Sequence, residues 1–481
     1  MIPDTSGEVP PAEELGTVHF VGIGGAGMSA VARILLERGG KVTGSDAKES
    51  AVLAGLRELG AVVHVGHDQG HVGGADTVVV SSAVRESNPE LARARREGLR
   101  VLHRSQALAA LMRGRRGVAV AGTHGKTTTT SMLTVALRAC GADPSFAIGG
   151  EFTGGGPGAH AGTGDVFVAE ADESDGSFVV YHPAVAVITN VEPDHLDHYG
   201  TAEAVTAAFD RFADGVAPGG VLVACADDPG ALDVATRAAA RRGSGLRVRT
   251  YGRTAAADVQ VADLDTSGQG ARFTLAPRGG DLLTVALRVP GAHNALNAAA
   301  AWTAATALGF APEGVVAGLE SFGGARRRFE LKGTAGGVRV VDDYAHHPTE
   351  VSAVLTAARA VAGEGRVLAL FQPHLYSRTR IFAAEFGRAL GLADEVVVLE
   401  VYAAREDPEP GVTGALVADA VPLPPSAVVH EPDRVRAARR VAERARPGDL
   451  VLTVGAGDVT QLGPEVLRLL ADAAGPRGSG G

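Results

Sequence analysis

Six consecutive residues, Gly122-Thr-His-Gly125-Lys126-Thr127, have the composition of a phosphate-binding loop. Glycines without a Cβ let backbone N–H groups close on phosphate oxygens. A lysine adds a compact positive charge, and a threonine hydroxyl suits Mg²⁺. The apolar run Val118–Ala121 leads into the loop and a helix-like run leads out, so Gly122, Thr123, His124, Gly125, Lys126, Thr127 and Thr128 are the candidate phosphate ligands. Val120 stands where the generic pattern has its first glycine, which makes this a short variant.

Two other apolar runs end in groups that bind hard cations. One is Asp165-Val-Phe-Val-Ala-Glu170, continuing through Asp172, Glu173 and Asp175. The other is Ala184-Val-Ala-Val-Ile-Thr189-Asn190, continuing through Glu192, Asp194, His195, Asp197 and His198. In α/β sheets, residues at the carboxyl ends of strands face the ligand crevice, so carboxylates and an imidazole reach the edge that carries the loop.

These residues need a scaffold, and the chain alternates strand and helix patterns throughout. Thr17–Val21 reads as a strand opening into Gly22-Ile-Gly24-Gly25-Ala-Gly27-Met28, a G-x-G-x-x-G run before a helix. Lys41–Gly44 reads as a second strand ending at Ser45-Asp46, where a ribose-binding acid sits in a dinucleotide fold. Strands follow at Ala61–Val65, Thr77–Val80 (before Ser81-Ser82) and Val101–Leu102. Residues 17–105 therefore read as a Rossmann-like domain, and the glycine fingerprint alone suggests a nicotinamide dinucleotide. His67 and Arg104 read as surface residues. A central α/β domain spans 106–322 and includes Val289-Pro-Gly291-Ala-His293-Asn294-Ala-Leu-Asn297 at a helix entrance. A third α/β domain spans 323–471, with His346, His374, Arg378 and Asp458 after strand ends. His346-His347 lacks a matching third ligand and runs into Pro348, which argues against zinc.

A length of 481 residues fits about three domains, and 45% hydrophobic with 21% charged residues is a globular balance. No apolar run approaches the length of a membrane span. With Cys140 and Cys225 as the only cysteines, neither a disulfide framework nor a cysteine metal site can form, and the expectation is a soluble cytoplasmic protein. A net charge of −10 argues against general affinity for nucleic acid or anionic membrane. Residues 1–16 and 475–481 read as disordered ends.

In order along the chain, G-I-G-G-A-G-M, G-T-H-G-K-T-T-T, E-A-D-E-S-D, T-N-x-x-x-D-H, H-N-x-x-N, R-R-F-E, D-D-Y-A-H-H-P and H-L-Y-S-R-T resemble the Mur ligases over about residues 17–470. The resemblance implies three α/β domains: a Rossmann-like first domain that holds a UDP-sugar rather than a nicotinamide, a central ATPase-like domain for ATP and Mg²⁺, and a third that admits the amino acid. It implies UDP-sugar contacts at Gly22, Gly24, Gly25, Gly27, Met28, Ser45, Asp46 and Ser82. Metal neighbours would be Thr127, Glu170 and His195, and further ATP contacts His293, Asn294 and Asp343. Tyr344, His346 and Arg378 would hold the amino acid. Lys126, Glu170, His195, His346 and Arg378 would be catalytic.

The motifs are closest to the branch that joins L-alanine to UDP-N-acetylmuramate, acting as a monomer or weak homodimer. A related branch that joins a tripeptide to the same acceptor stays open. Several family members carry a carbamoylated lysine for a second metal. The central domain here has no lysine besides Lys126, and Leu375 replaces the arginine some members have in the H-x-Y-S-R-T run. Readings from other classes are a nicotinamide oxidoreductase and a UDP-sugar sensor without turnover.

Overall fold

Short runs buried on both faces, such as Val18-His-Phe-Val21 and Val118-Ala-Val-Ala121, suit parallel strands covered by helices. The computed structural model describes residues 9–153, 156–404 and 406–474. The expected disorder at 1–8 and 475–481 lies outside these residues. Residues 9–16 do not follow that expectation: Ala12–Glu14 is a turn of 3₁₀ helix, and Leu15, 1% exposed, accepts a hydrogen bond from Thr77 at 2.7 Å through its carbonyl.

The chain divides into two compact units. One comprises Met1–Ala262, Thr274–Val285 and Leu296–Phe322, and the other Asp263–Phe273, Ala286–Ala295 and Gly323–Gly481. The first unit opens with β1 (Val18–Val21), β2 (Val42–Asp46), β3 (Val62–Val65), β4 (Thr77–Val80) and β5 (Arg100–His103). They form a parallel sheet of order β3-β2-β1-β4-β5. This open order places the glycine loop after β1, at the point where the chain switches direction across the sheet.

The larger sheet comprises β6 (Arg116–Ala121), β7 (Ser145–Ala147), β8 (Ala159–His160), β9 (Val166–Glu170), β10 (Val185–Ile188), β11 (Gly220–Cys225), β12 (Leu246–Gly252), β13 (Val259–Asp265), β14 (Ala271–Pro277) and β15 (Leu283–Leu287). Its order is β15-β14-β13-β12-β11-β10-β6-β9-β7-β8. β6 lies between β10 and β9, parallel to both, with Val120 opposite Glu170 and Ala121 opposite Ile188. That register delivers the phosphate loop, the acidic turn and Thr189-Asn190 to one edge.

In the second unit, β16 (Glu330–Ala335), β17 (Val338–Asp343), β18 (Val367–Phe371), β19 (Glu395–Val398), β20 (Val428–His430) and β21 (Leu450–Val454) form a sheet of order β16-β17-β21-β18-β19-β20. Only the β16–β17 pair is antiparallel. Helices on both sides bury separate apolar clusters around Phe371 and Phe386 and around Val451 and Val466. Among the described residues no helix is long and apolar enough to cross a membrane.

Candidate active site

The loop after β6 is shaped by glycine. Gly122 has φ +139°, and a Cβ there would overlap Thr189 Oγ1. Gly125, at φ +81°, is the N-cap of the helix Lys126–Ala139, which has no side-chain cap. Its first N–H groups are left for an anion. Thr189 and Asn190 splint the loop from β10. Asn190 Oδ1 accepts the His124 N–H at 2.7 Å, Thr189 Oγ1 donates to the His124 carbonyl at 2.5 Å, and the Thr123 N–H reaches the Asn190 carbonyl at 3.1 Å. Asn297 closes the far side, accepting from Thr129 Oγ1 at 3.2 Å. Lys126 folds back over the loop, its ammonium donating to the Gly122 carbonyl at 2.7 Å, the Thr123 carbonyl at 3.1 Å and Glu173 at 2.9 Å.

Two carboxylates meet this loop. Thr127 Oγ1 donates to Glu170 Oε1 at 3.0 Å, and the other Glu170 oxygen accepts the Gly149 N–H at 2.8 Å. Hydroxyl and carboxylate oxygens side by side next to a phosphate loop are a donor set that fits Mg²⁺. Glu173 is 2% exposed, and its Oε2 has no hydrogen-bond partner among the described residues. Burial pushes its carboxyl up to about 7, against the pull of Lys126. For Lys126 the neighbouring carboxylates outweigh burial and hold the ammonium charged. His195, at φ +53°, stands 3.7 Å from Glu173 and 3.6 Å from Asp194. The structure thus joins Thr127 to Glu170 directly and sets His195 against Glu173. Glu173, in sequence one of several possible cation ligands after this strand, is instead the carboxylate that holds Lys126.

Arg104 is not a surface residue. Its guanidinium, 19% exposed, donates to Asp172 at 2.6 Å and lies 3.5 Å from Asp175. A Cβ on Gly27 would stand 3.0 Å from Arg104 Nη1, so the third glycine of the fingerprint makes room for this cation. Asp175 also accepts from Ser82 Oγ at 3.1 Å and lies 3.4 Å from His103. Ser82 therefore joins the acidic turn, and Arg104 links the glycine loop to the same turn.

A cavity of about 900 Å³ opens on the glycine loop. Gly22, Gly24, Gly25, Met28 and Asp46 line it, together with Ser81, Arg85 and His67. Its size suits a nucleotide. Asp46 accepts the Gly24 N–H at 2.9 Å, and the helix Ala26–Glu37 has no side-chain cap. Ser45, expected as a direct contact, is wholly buried and donates to Glu90 at 2.6 Å. His67, read as a surface residue, is a wall of the cavity.

In the second unit, Tyr344 lies under the guanidinium groups of Arg327 and Arg328, at 4.7 and 5.1 Å. The His346 ring stands 5.8 Å from that of His374, whose Nδ1 is 3.4 Å from buried Arg378. These residues form one group. Asp343 instead spends both oxygens on backbone, accepting the N–H of Phe329, which precedes β16, and that of Ala345 in its own turn at 2.7 Å each. Asn294 Nδ2 donates to the Pro290 carbonyl at 2.7 Å, and burial lowers the His293 imidazole to about 4.

Burial raises Asp343 from 3.8 to about 6. Between these values the folded chain keeps a proton that the unfolded chain has released. The contribution is therefore fully present below about pH 4 and is lost as pH rises through 6. Asp343→Asn, which also loses one acceptor at every pH, is expected to remove this part of the slope. Melting curves at pH 4.5, 5.5 and 7 measure it, and an unchanged slope counts against a buried titrating Asp343.

A Rossmann-like sheet, a phosphate loop flanked by two acid-bearing strands and a third α/β sheet define an ATP-dependent ligase architecture. Residues 17–116 match the family described as Mur ligase family, catalytic domain, residues 120–305 the Mur ligase middle domain, and residues 327–457 the Mur ligase, glutamate ligase domain. The chain belongs to the Mur ligase family. It is 64% identical to a UDP-N-acetylmuramate–L-alanine ligase of Kineococcus radiotolerans, over 97% of this chain and 99% of that protein. The crystal structure of a UDP-N-acetylmuramate–alanine ligase from Thermotoga maritima superposes with a TM-score of 0.76 at 30% identity, over 95% of this chain and 99% of that one. A murein peptide ligase from Psychrobacter arcticus superposes with a TM-score of 0.69 at 25% identity, with the same coverage.

Proposed function

We propose that the chain uses ATP to join L-alanine to the lactyl carboxylate of UDP-N-acetylmuramate, a step of peptidoglycan precursor synthesis in the cytoplasm, as a monomer or weak homodimer. One observation carries the reading furthest. A nucleotide-sized cavity and a phosphate loop occur in one unit, linked through Arg104 and Asp172, so an acceptor nucleotide and ATP have neighbouring places. The names of the relatives supply the substrates. The domains are placed at 17–105 for the UDP-sugar, 106–322 for ATP and 323–471 for the amino acid.

A carboxylate does not condense with an amine at neutral pH, so it must gain a leaving group. The lactyl carboxylate oxygen attacks the γ-phosphorus and ADP departs. The amine of L-alanine then attacks the acyl carbonyl, loses a proton, and phosphate leaves as the tetrahedral intermediate collapses. Lys126 exchanges carbonyl partners for phosphate oxygens and stabilises the transferring charge, aided by the loop N–H groups. Thr127 and Glu170, with His195 directly or through water, would hold Mg²⁺, which would supply charge neutralisation for the polyphosphate. Tyr344, His346 and Arg378 are assigned to the amino acid and the intermediate, and His293 and Asn294 to the nucleotide, whereas Asp343, expected there too, keeps both oxygens on backbone N–H groups.

Glu170→Gln and His195→Ala are expected to raise the Mg²⁺ concentration for half-maximal activity by about 10-fold or more. Unchanged metal dependence in both variants removes them from the metal site. The function itself is tested by phosphate release with UDP-N-acetylmuramate, ATP and either L-alanine or a murein tripeptide. Release that requires L-alanine supports the reading. Release only with the tripeptide transfers the chain to the recycling branch, which the 25% relative represents more distantly than the 64% relative represents the alanine branch.

A further inference from the structure

Beneath the cavity of the first unit lies a group the reaction does not use. Glu90, 0% exposed, sits at the start of the helix Pro89–Arg96, and three imidazoles converge on it from three strands and turns. His71 Nδ1 is 2.8 Å from Oε1, His67 Nδ1 is 3.1 Å from Oε2, and buried His19 Nε2 is 3.7 Å from Oε1. Ser45 Oγ donates to Oε2 at 2.6 Å. Burial raises this carboxyl, but the His19, Ser45 and His71 side chains beside it outweigh burial and hold the group at about 2, ionised. Of the three histidines only His67 is also a wall of the cavity.

The hydrogens shared by Ser45, His67 and Glu90 can be assigned. Ser45 has one hydroxyl hydrogen, and it goes to Glu90. Ser45 Oγ is also 2.9 Å from His67 Nδ1, so this second contact requires Nδ1 to be the donor. The contact from the same Nδ1 to an ionised carboxylate requires the same thing. A neutral imidazole carrying its hydrogen on Nδ1 has a lone pair on Nε2. In the neutral ring Nε2 is then the acceptor, and His67 stands in a cavity wall that also carries the anions Asp46 and Glu49 and the cations Lys48 and Arg85.

We propose that His67 reads a hydrogen-bond donor on the nucleotide through Nε2, and that Glu90 is the positioning residue that holds His67 in this tautomer. The donor is an imino N–H of the base or a ribose hydroxyl. Because one carboxylate also fixes His71 and Ser45, the ring cannot flip without breaking several bonds. This proposal rests on the reading of the cavity as the UDP-sugar site.

The test is calorimetric binding of UDP, N3-methyl-UDP and 2′-deoxy-UDP to the full chain, wild type, Glu90→Gln, Ser45→Ala and His67→Phe, with an ATP analogue as a second ligand. In the wild type, one of the two altered nucleotides is expected to bind about 10-fold or more weakly than UDP. The N3-methyl analogue would identify the base and the 2′-deoxy analogue the ribose. In His67→Phe and Glu90→Gln that discrimination shrinks below about 3-fold while ATP-analogue affinity holds. A merely structural role would not produce this split. Ser45→Ala leaves the Glu90–His67 contact in place and, should Glu90→Gln not fold, reports partial loss of discrimination instead. Equal binding of all three nucleotides by the wild type, or full discrimination retained in His67→Phe, overturns the role of His67. Discrimination retained in a folded Glu90→Gln overturns that of Glu90. A wild type that binds no UDP overturns the cavity assignment and this proposal with it.

Discussion

Lys126→Ala is expected to slow phosphate release by about 10²- to 10³-fold or more while the chain stays folded. Both halves of this expectation follow from the geometry of one ammonium group. Lys126 is the sole lysine of the central domain, and its three donors are spent on two loop carbonyls and Glu173, so polyphosphate must take over at least one of them. Loss of a preorganised cation is then felt in the transferring phosphoryl group more than in the resting fold. The fold survives because the partner left behind can neutralise itself. Glu173 already sits near 7 through burial, and without Lys126 it takes up a proton rather than remain a lone buried charge. Phosphate release and melting temperature measured on the same preparation check both halves. Near wild-type release means that the loop does not stabilise phosphoryl transfer. Abolished release in a chain that still binds UDP in its first domain isolates the defect to the loop.

How much of this site could be read from the residue order depends on how local each part is. The phosphate loop, the glycine fingerprint and the acids after β9 are contiguous runs, and their chemistry follows from spacing alone. The first-domain cluster is different. His19, Ser45, His67, His71 and Glu90 share no motif, and they meet only because the sheet order β3-β2-β1-β4 sets the ends of β1, β2 and β3 beside the helix that follows β4. Arg104 was misread for the same reason. An arginine after a strand has no periodic signal, and its burial comes from a glycine 77 positions earlier and an acidic turn 68 positions later. Glu173 lay within a legible motif, but which acid of E-A-D-E-S-D holds Lys126 and which holds Thr127 is decided by the turn after β9. Asp343 shows the converse: a carboxylate at a strand end, where a ligand contact is expected, is occupied by the backbone N–H groups of Phe329 and Ala345.

The glycine at the head of the phosphate loop gives the other large expected effect. Gly122→Ala should reduce activity about as severely as loss of Lys126, for a reason that does not involve charge. At φ +139° an L-residue is strained by roughly 1–3 kcal/mol, and the added Cβ would also overlap Thr189 Oγ1. Thr189 cannot move aside freely, because its hydroxyl holds the His124 carbonyl and so the curve of the loop. The chain must therefore either open the loop or break the splint from β10, and both spoil the alignment of the N–H groups that face phosphate. The double variant Gly122→Ala/Thr189→Ala, compared with Thr189→Ala alone as the measure of the lost splint, separates the two terms. It removes the overlap with Oγ1 but leaves the dihedral strain. Recovery of ATP-analogue affinity to the level of Thr189→Ala alone would show that the overlap dominates, and a double variant that stays well below that level would show that the dihedral does. Gly122→Ala with wild-type phosphate release and wild-type melting temperature would mean that neither term acts, and that the loop tolerates a conformation other than the one seen here.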